Sequence, residues 1–174
     1  MRLTFTLLLA ALAAAPVVRA QTAADASAIR AAALDYAEGW YAGDGDRMAR
    51  ALHPELVKRI VVNDTATKRA YLQTMGATSL ANATRRGFGR STPADRQEKT
   101  VAVLDVFGNA AVAKIVMADW IDYLQLGKLD GRWVIVNVLW EESPNGSDRD
   151  GDRSHIVTPV TFVTPVTLSA AKGA

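Results

Sequence analysis

The feature that most constrains this chain is a change of period along it. Residues 99–107, 110–126 and 132–142 are rich in β-branched and aromatic residues, and Gly108-Asn109 and Asp130-Gly131 separate them with dipeptides suited to two-residue hairpin turns. Earlier in the chain the spacing is helical. Within 23–42, Ile29, Ala33, Tyr36 and Trp40 fall on one helical face, while Arg30, Asp35 and Glu38 lie mostly elsewhere. Gly43 ends that helix, and Asp44 caps a second one running to about Leu52, which Pro54 stops after His53. Residues 56–62 fit either a turn of helix or a short strand. The stretch 67–83 reads as a third helix burying Tyr71, Leu72, Met75 and Leu80, and 85–94, with Gly87, Gly89 and Pro93, reads as a loop. Helices followed by an antiparallel meander predict an α+β fold with the helices against one sheet face.

Counting outward from the turns sets an expected register. It places Ala102, Leu104, Val106, Ala111, Ala113, Ile115, Met117, Asp119, Ile121, Tyr123, Val136, Val138 and Trp140 on a core face. The opposite face then carries Trp120, Leu124, Leu126, Trp133, Ile135 and Leu139, an apolar patch that a homodimer through the sheet would cover. A β-bulge would exchange these faces locally.

Residues 1–20 read as a secretory signal peptide: a short basic start, an apolar run, and Val18-Arg19-Ala20 as a small-residue cleavage site before Gln21. The run is shorter than the roughly 20 residues that span a bilayer comfortably. The expectation is an exported protein, periplasmic or secreted, without stable membrane association after cleavage. Arg2 and Arg19 are the leader's only ionisable side chains, so of 20 basic residues 18 remain against 18 acidic ones. A neutral chain offers no electrostatic case for a nucleic-acid partner. The absence of cysteine excludes disulfides, thiol catalysis and thiolate metal sites. The domain is therefore expected over 21–142, followed by a polar linker and a disordered or loosely extended Thr/Pro/Val tail over 143–174. In that tail Val157-Thr-Pro-Val-Thr-Phe162 is nearly repeated as Val163-Thr-Pro-Val-Thr-Leu168.

Three segments, Leu34-Asp-Tyr-Ala-Glu-Gly-Trp-Tyr-Ala-Gly-Asp, Ala51-Leu-His-Pro-Glu-Leu and Asp130-Gly-Arg-Trp-Val-Ile-Val-Asn-Val-Leu-Trp140, occur in an order and spacing that resembles the putative lumazine-binding family. That family belongs to the nuclear-transport-factor-2-like superfamily, with SnoaL-like cyclases and ketosteroid isomerases. Over roughly 26–142, the resemblance implies a cone: a strongly curved sheet wrapped around helices, a pocket between its concave face and the first helix, and frequent dimers. Fold membership of this kind does not determine function.

Several residues are candidates for a site. Asp119, on the expected core face, would need a partner or a pocket, and desolvation there would raise its pKa towards a useful range for proton transfer. It reads otherwise as a rim residue or an ion-pair member. His53 could reach the pocket mouth as base or donor, or simply satisfy a helix end. Tyr36, Trp40, Tyr123 and Trp140 could stack on a flat heteroaromatic ligand or serve as ordinary core. Arg85, Arg86, Arg90 and Arg96 around Phe88 read as a solvated loop or a minor anion contact. Asp148-Arg-Asp-Gly-Asp152 fails as a calcium loop, because Gly146 and Val157 stand where ligands belong. Asn63, Asn82 and Asn145 begin glycosylation sequons, relevant only where that machinery exists. No Walker loop, dinucleotide fingerprint, nucleophile elbow or His-Glu-His zinc pattern occurs.

These observations favour a small-molecule-binding protein without cofactor or metal, taking a small flat apolar or heteroaromatic ligand at Tyr36, Trp40, His53, Asp119, Tyr123 and Trp140. The competing readings are a cofactor-independent isomerase, cyclase or dehydratase using Asp119 with His53 or Tyr123, and a dimeric interaction module without a used pocket.

Overall fold

The leading helix binds the molecule together because one of its faces is largely apolar and packs against the sheet. The computed structural model describes residues 15–143, with side chains from residue 23. Of the expected leader over 1–20, residues 1–14 lie outside the described residues and 15–20 fall within the first helix; of the expected linker and tail over 143–174, all but Ser143 lie outside them. Helix α1 (Ala15–Ala42) buries Ile29, Ala33, Tyr36 and Ala37. Helix α2 (Gly45–Ala51) begins at Asp44, whose carboxylate accepts from the N–H groups of Asp46 and Arg47 at 3.1 and 2.9 Å. Next come β1 (Leu52–Asp64), β2 (Arg69–Gly76) and α3 (Ala77–Arg85), then two short 3-10 turns, and finally β3 (Lys99–Phe107), β4 (Ala110–Met117), β5 (Trp120–Leu129) and β6 (Arg132–Glu142). One six-stranded sheet results, in the order β2-β1-β6-β5-β4-β3. It is antiparallel except where β1 runs parallel to β6. The α+β architecture with helices against one sheet face is as expected.

Two expectations give way. The stretch 67–83 is not one helix: its first half is edge strand β2, paired to β1 from Val57↔Gly76 to Asp64↔Arg69, and only the second half is α3. Tyr71, Leu72 and Met75 are consequently exposed, and of the four expected core residues only Leu80 is buried. The physical reason is the turn before it. Asp64 accepts from Ala66 and Thr67 N–H and from the Thr67 hydroxyl, Lys68 takes a left-handed φ of 54°, and the chain folds back onto β1. Residues 56–62, left open by the sequence, belong to a strand for the same reason.

The second correction concerns faces. The run 110–126 contains a turn at Ala118 and Asp119, so β4 pairs with β5 (Val116↔Ile121, Ala113↔Leu124). A two-residue turn reverses the parity of the inward residues. Ile115 and Met117 point in from β4, but Asp122, Leu124 and Leu126 point in from β5. Bulges act in the same direction. Leu104 in β3 and Val136 in β6 each lack a ladder partner, which turns Val103, Trp133 and Ile135 inward. Leu124, Leu126, Trp133 and Ile135 are therefore core rather than an outer patch, and Tyr123 is 43% exposed on the outer face.

Candidate functional site

The concave sheet face carries a buried polar cluster that spacing alone did not single out. Lys58 alternates with Leu56 and Ile60 along β1, so it points inward with them, and Asp122 does so between Trp120 and Leu124 on β5. Tyr36 descends from α1 to meet both. The Lys58 Nζ donates to Asp122 Oδ1 at 2.7 Å and to Tyr36 Oη at 2.7 Å, and the Tyr36 hydroxyl donates to Asp122 Oδ2 at 2.9 Å. The ammonium also lies over the Trp140 ring, 4.8 Å from its centroid, and Trp140 meets Trp120 edge-on at 5.0 Å. Asp122 is fully buried and Lys58 is 8% exposed. Burial pulls the Lys58 ammonium below its ordinary pKa while Asp122 opposes that pull; burial, then Asp122, pushes the Tyr36 hydroxyl well up. Every polar atom of the trio thus has a partner within it, which is the condition for holding such charge in a core.

Other side chains of the same face are less covered. Trp120 and Trp140 are half-buried. Register places Met75, Gln73 and Tyr71 of β2 beside Lys58, Ile60 and Val62, on the concave side, and all three are exposed. The face thus combines a closed polar floor with a partly exposed rim of two aromatic and thioether groups, Trp120 and Trp140 on β5 and β6 and Met75 and Tyr71 on β2.

The residues expected from the sequence disperse. Tyr36 and Trp140 meet at Lys58. Trp40 packs instead against the loop after α3, where a Cβ on Gly89 would stand 2.3 Å from the Trp40 carbonyl oxygen and 2.5 Å from its ring. Asp119 is the β4–β5 turn residue rather than an inward strand residue, and its carbonyl accepts from the Ser143 N–H at 2.8 Å. Tyr41 pins that turn: its oxygen accepts from Ala118 N–H at 2.9 Å and its hydroxyl donates to the Glu98 carbonyl at 2.7 Å. Tyr123 lies on the outer face, under the Lys114 ammonium at 5.8 Å. The His53 Nδ1 accepts from the Glu55 N–H at 3.2 Å, and its ring lines an open depression of about 340 Å³ with Leu52, Asp130 and Arg132. A second depression of about 320 Å³ lies among Glu38, Tyr41, Arg47, Gln97 and Lys99. Neither is the space between α1 and the sheet, which Ile29, Ala33, Tyr36, Leu124, Ile135 and Val138 fill as one core. Among the described residues, no group of three or more His, Asp or Glu side chains is placed to hold a metal ion.

Comparison with known proteins agrees with this architecture. The model of a family described as "Putative lumazine-binding" matches residues 24–141. An NTF2-like protein of unknown function from Shewanella baltica OS155 superposes with a TM-score of 0.55 at 23% identity, over 70% of this chain and 96% of that one. Another from Silicibacter pomeroyi DSS-3 gives 0.53 at 15% identity, over 70% and 98%. An NTF2-like protein with a cystatin-like fold from Novosphingobium aromaticivorans gives 0.53 at 15% identity, over 71% and 85%. At these identities the likeness is one of fold. No curated protein matches the sequence.

Proposed function

We infer the function from a premise and a geometry: the chain belongs to the Putative lumazine-binding family of NTF2-like proteins, and its concave sheet face is closed at the floor and open at the rim. The function we propose is non-catalytic binding of a small, planar, largely apolar or heteroaromatic molecule. The ligand site moves from the α1–sheet gap, where it was expected, to the rim. The observation that carries this reading is the half-buried Trp120 and Trp140 pair, with the Lys58 ammonium against the Trp140 ring and exposed Met75 and Tyr71 on the same face two strands beyond Trp140. Indole faces stack on flat rings, and a thioether adapts to their outline. The test is a titration of tryptophan fluorescence with lumazine, paired with native mass spectrometry of protein taken from its own host. A saturable quench or a retained planar molecule supports the reading; the absence of both ends it.

One observation speaks for chemistry instead. Asp122, Lys58 and Tyr36 converge as an acid–base group would, and an isomerase, cyclase or dehydratase would have to use them rather than Asp119 and His53. Their mutual bonds leave no carboxylate oxygen facing a substrate, so binding is the better-supported function. Export and leader cleavage before Gln21 belong to the same proposal, checked by N-terminal sequencing of the host's protein. A homodimer through the outer sheet face rests on narrower ground than the sequence suggested, namely exposed Tyr123 and Leu139, which pair across β5 and β6.

A further inference from the structure

The sheet has two free edges, and they are not alike. On β3, the Arg30 guanidinium donates to the Val101 carbonyl at 2.6 Å, and the Leu104 bulge breaks the ladder. Such devices blunt an edge against pairing. Strand β2 has neither. All eight of its residues are exposed, Tyr71, Leu72 and Met75 among them, and among the described residues no side chain caps its outward backbone groups. An exposed strand of this kind is a template for another strand.

The chain carries a segment suited to that edge. Successive residues in a strand aim their N–H and C=O groups to opposite sides. Pro159 and Pro165 are six residues apart, so both of their missing N–H groups fall on one side, with Val157, Thr161, Val163 and Thr167. The other side keeps a full set of donors. A strand over 157–168 could therefore pair with one neighbour and no more, as an edge strand must. Reach is not limiting. Ser143 is tied to the β4–β5 turn at the end of β6, two strands from β2, or roughly 10 Å at ordinary strand spacing. The intervening residues 144–156 extend to about 40 Å.

We propose that residues 157–168 add to the free edge of β2 in the same molecule as a seventh strand. The added strand covers the exposed edge and deepens the rim wall beside Tyr71 and Met75.

Amide hydrogen exchange on the full chain tests this. The expected result is slowing by about tenfold or more over free peptide, both for the outward amides of β2 and for Val160, Phe162, Thr164 and Val166. A Val160→Pro/Val166→Pro variant, which removes donors from the pairing side, should return both sets to fast exchange. Thr161→Pro/Thr167→Pro, which adds prolines to the side that already holds Pro159 and Pro165, should leave both protected. Fast exchange of the outward β2 amides in the unaltered chain, or equal loss in the two variants, overturns the proposal. So does protection that rises with protein concentration and survives Val160→Pro/Val166→Pro, since a second copy would then occupy the edge.

Discussion

The floor and the rim share the concave face of one sheet, the floor completed by Tyr36 from α1, yet they use polarity in opposite ways. In the floor, Tyr36, Lys58 and Asp122 satisfy one another and tie α1, β1 and β5 together. At the rim, Trp120, Trp140, Met75 and Tyr71 are only partly covered and carry little that needs a fixed partner. A saturated, desolvated network gives rigidity and a unique arrangement of elements; an open aromatic surface gives contact area to a ligand. The buried charge here serves the scaffold, and the ligand surface proposed above is made of the apolar groups of the rim.

The largest effect that would sharpen this contrast is Asp122→Ala. It strands the Lys58 ammonium in the core and should lower unfolding free energy by about 3–5 kcal/mol in urea denaturation. The double substitution Lys58→Met/Asp122→Leu should recover most of that loss; if it does not, the pair matters for more than charge balance. Trp140→Ala bridges both regions, because the ring covers Lys58 and meets Trp120. It should cost about 2 kcal/mol and weaken lumazine binding by about tenfold. At the rim alone, Tyr71→Ser should leave stability within about 0.5 kcal/mol while reducing affinity a few-fold, and a large stability loss there would erase the distinction. The smallest effect is an acid one, outside both regions. Glu38 is held below its ordinary pKa, first by the Lys99 hydrogen bond and also by Arg47. Its stabilisation is present above roughly pH 4 and fades as pH falls through the depressed value, so Glu38→Gln should flatten the acid limb of a stability–pH profile.

Much of the fold was legible because it depends on local spacing. The inward face of α1, the Asp44 cap, and the bounds of β3 and β6 all follow from periodicity and turn chemistry. The site was less legible. Asp119 looked like a pocket acid because it interrupts an apolar run, but it interrupts that run by turning the chain. Parity carried unbroken through 110–126 puts Asp122, like Trp120 and Leu124, on the outer face, because the turn at Ala118 and Asp119 carries no glycine to mark it. Lys58 could have been found: a lysine between Leu56 and Ile60 at a period of two must either reach water or bring a partner inside. Strand β2 misled because Tyr71, Leu72, Met75 and Leu80 imitate helical spacing.

What the amino-acid order determined by itself is the class of the elements with clear periodicity, α1 and the strands β3 to β6, and which side chains want burial, because apolar periodicity acts within a few residues. Which faces finally met, and whether 69–76 became strand or helix, depended on partners far away in sequence. A strand's backbone needs a neighbour to bond to, and one bulge or two-residue turn exchanges inside for outside along everything that follows. Only the assembled sheet, with β1 presenting its ladder to β2 and Asp122 meeting Lys58 across 64 residues, decided those questions.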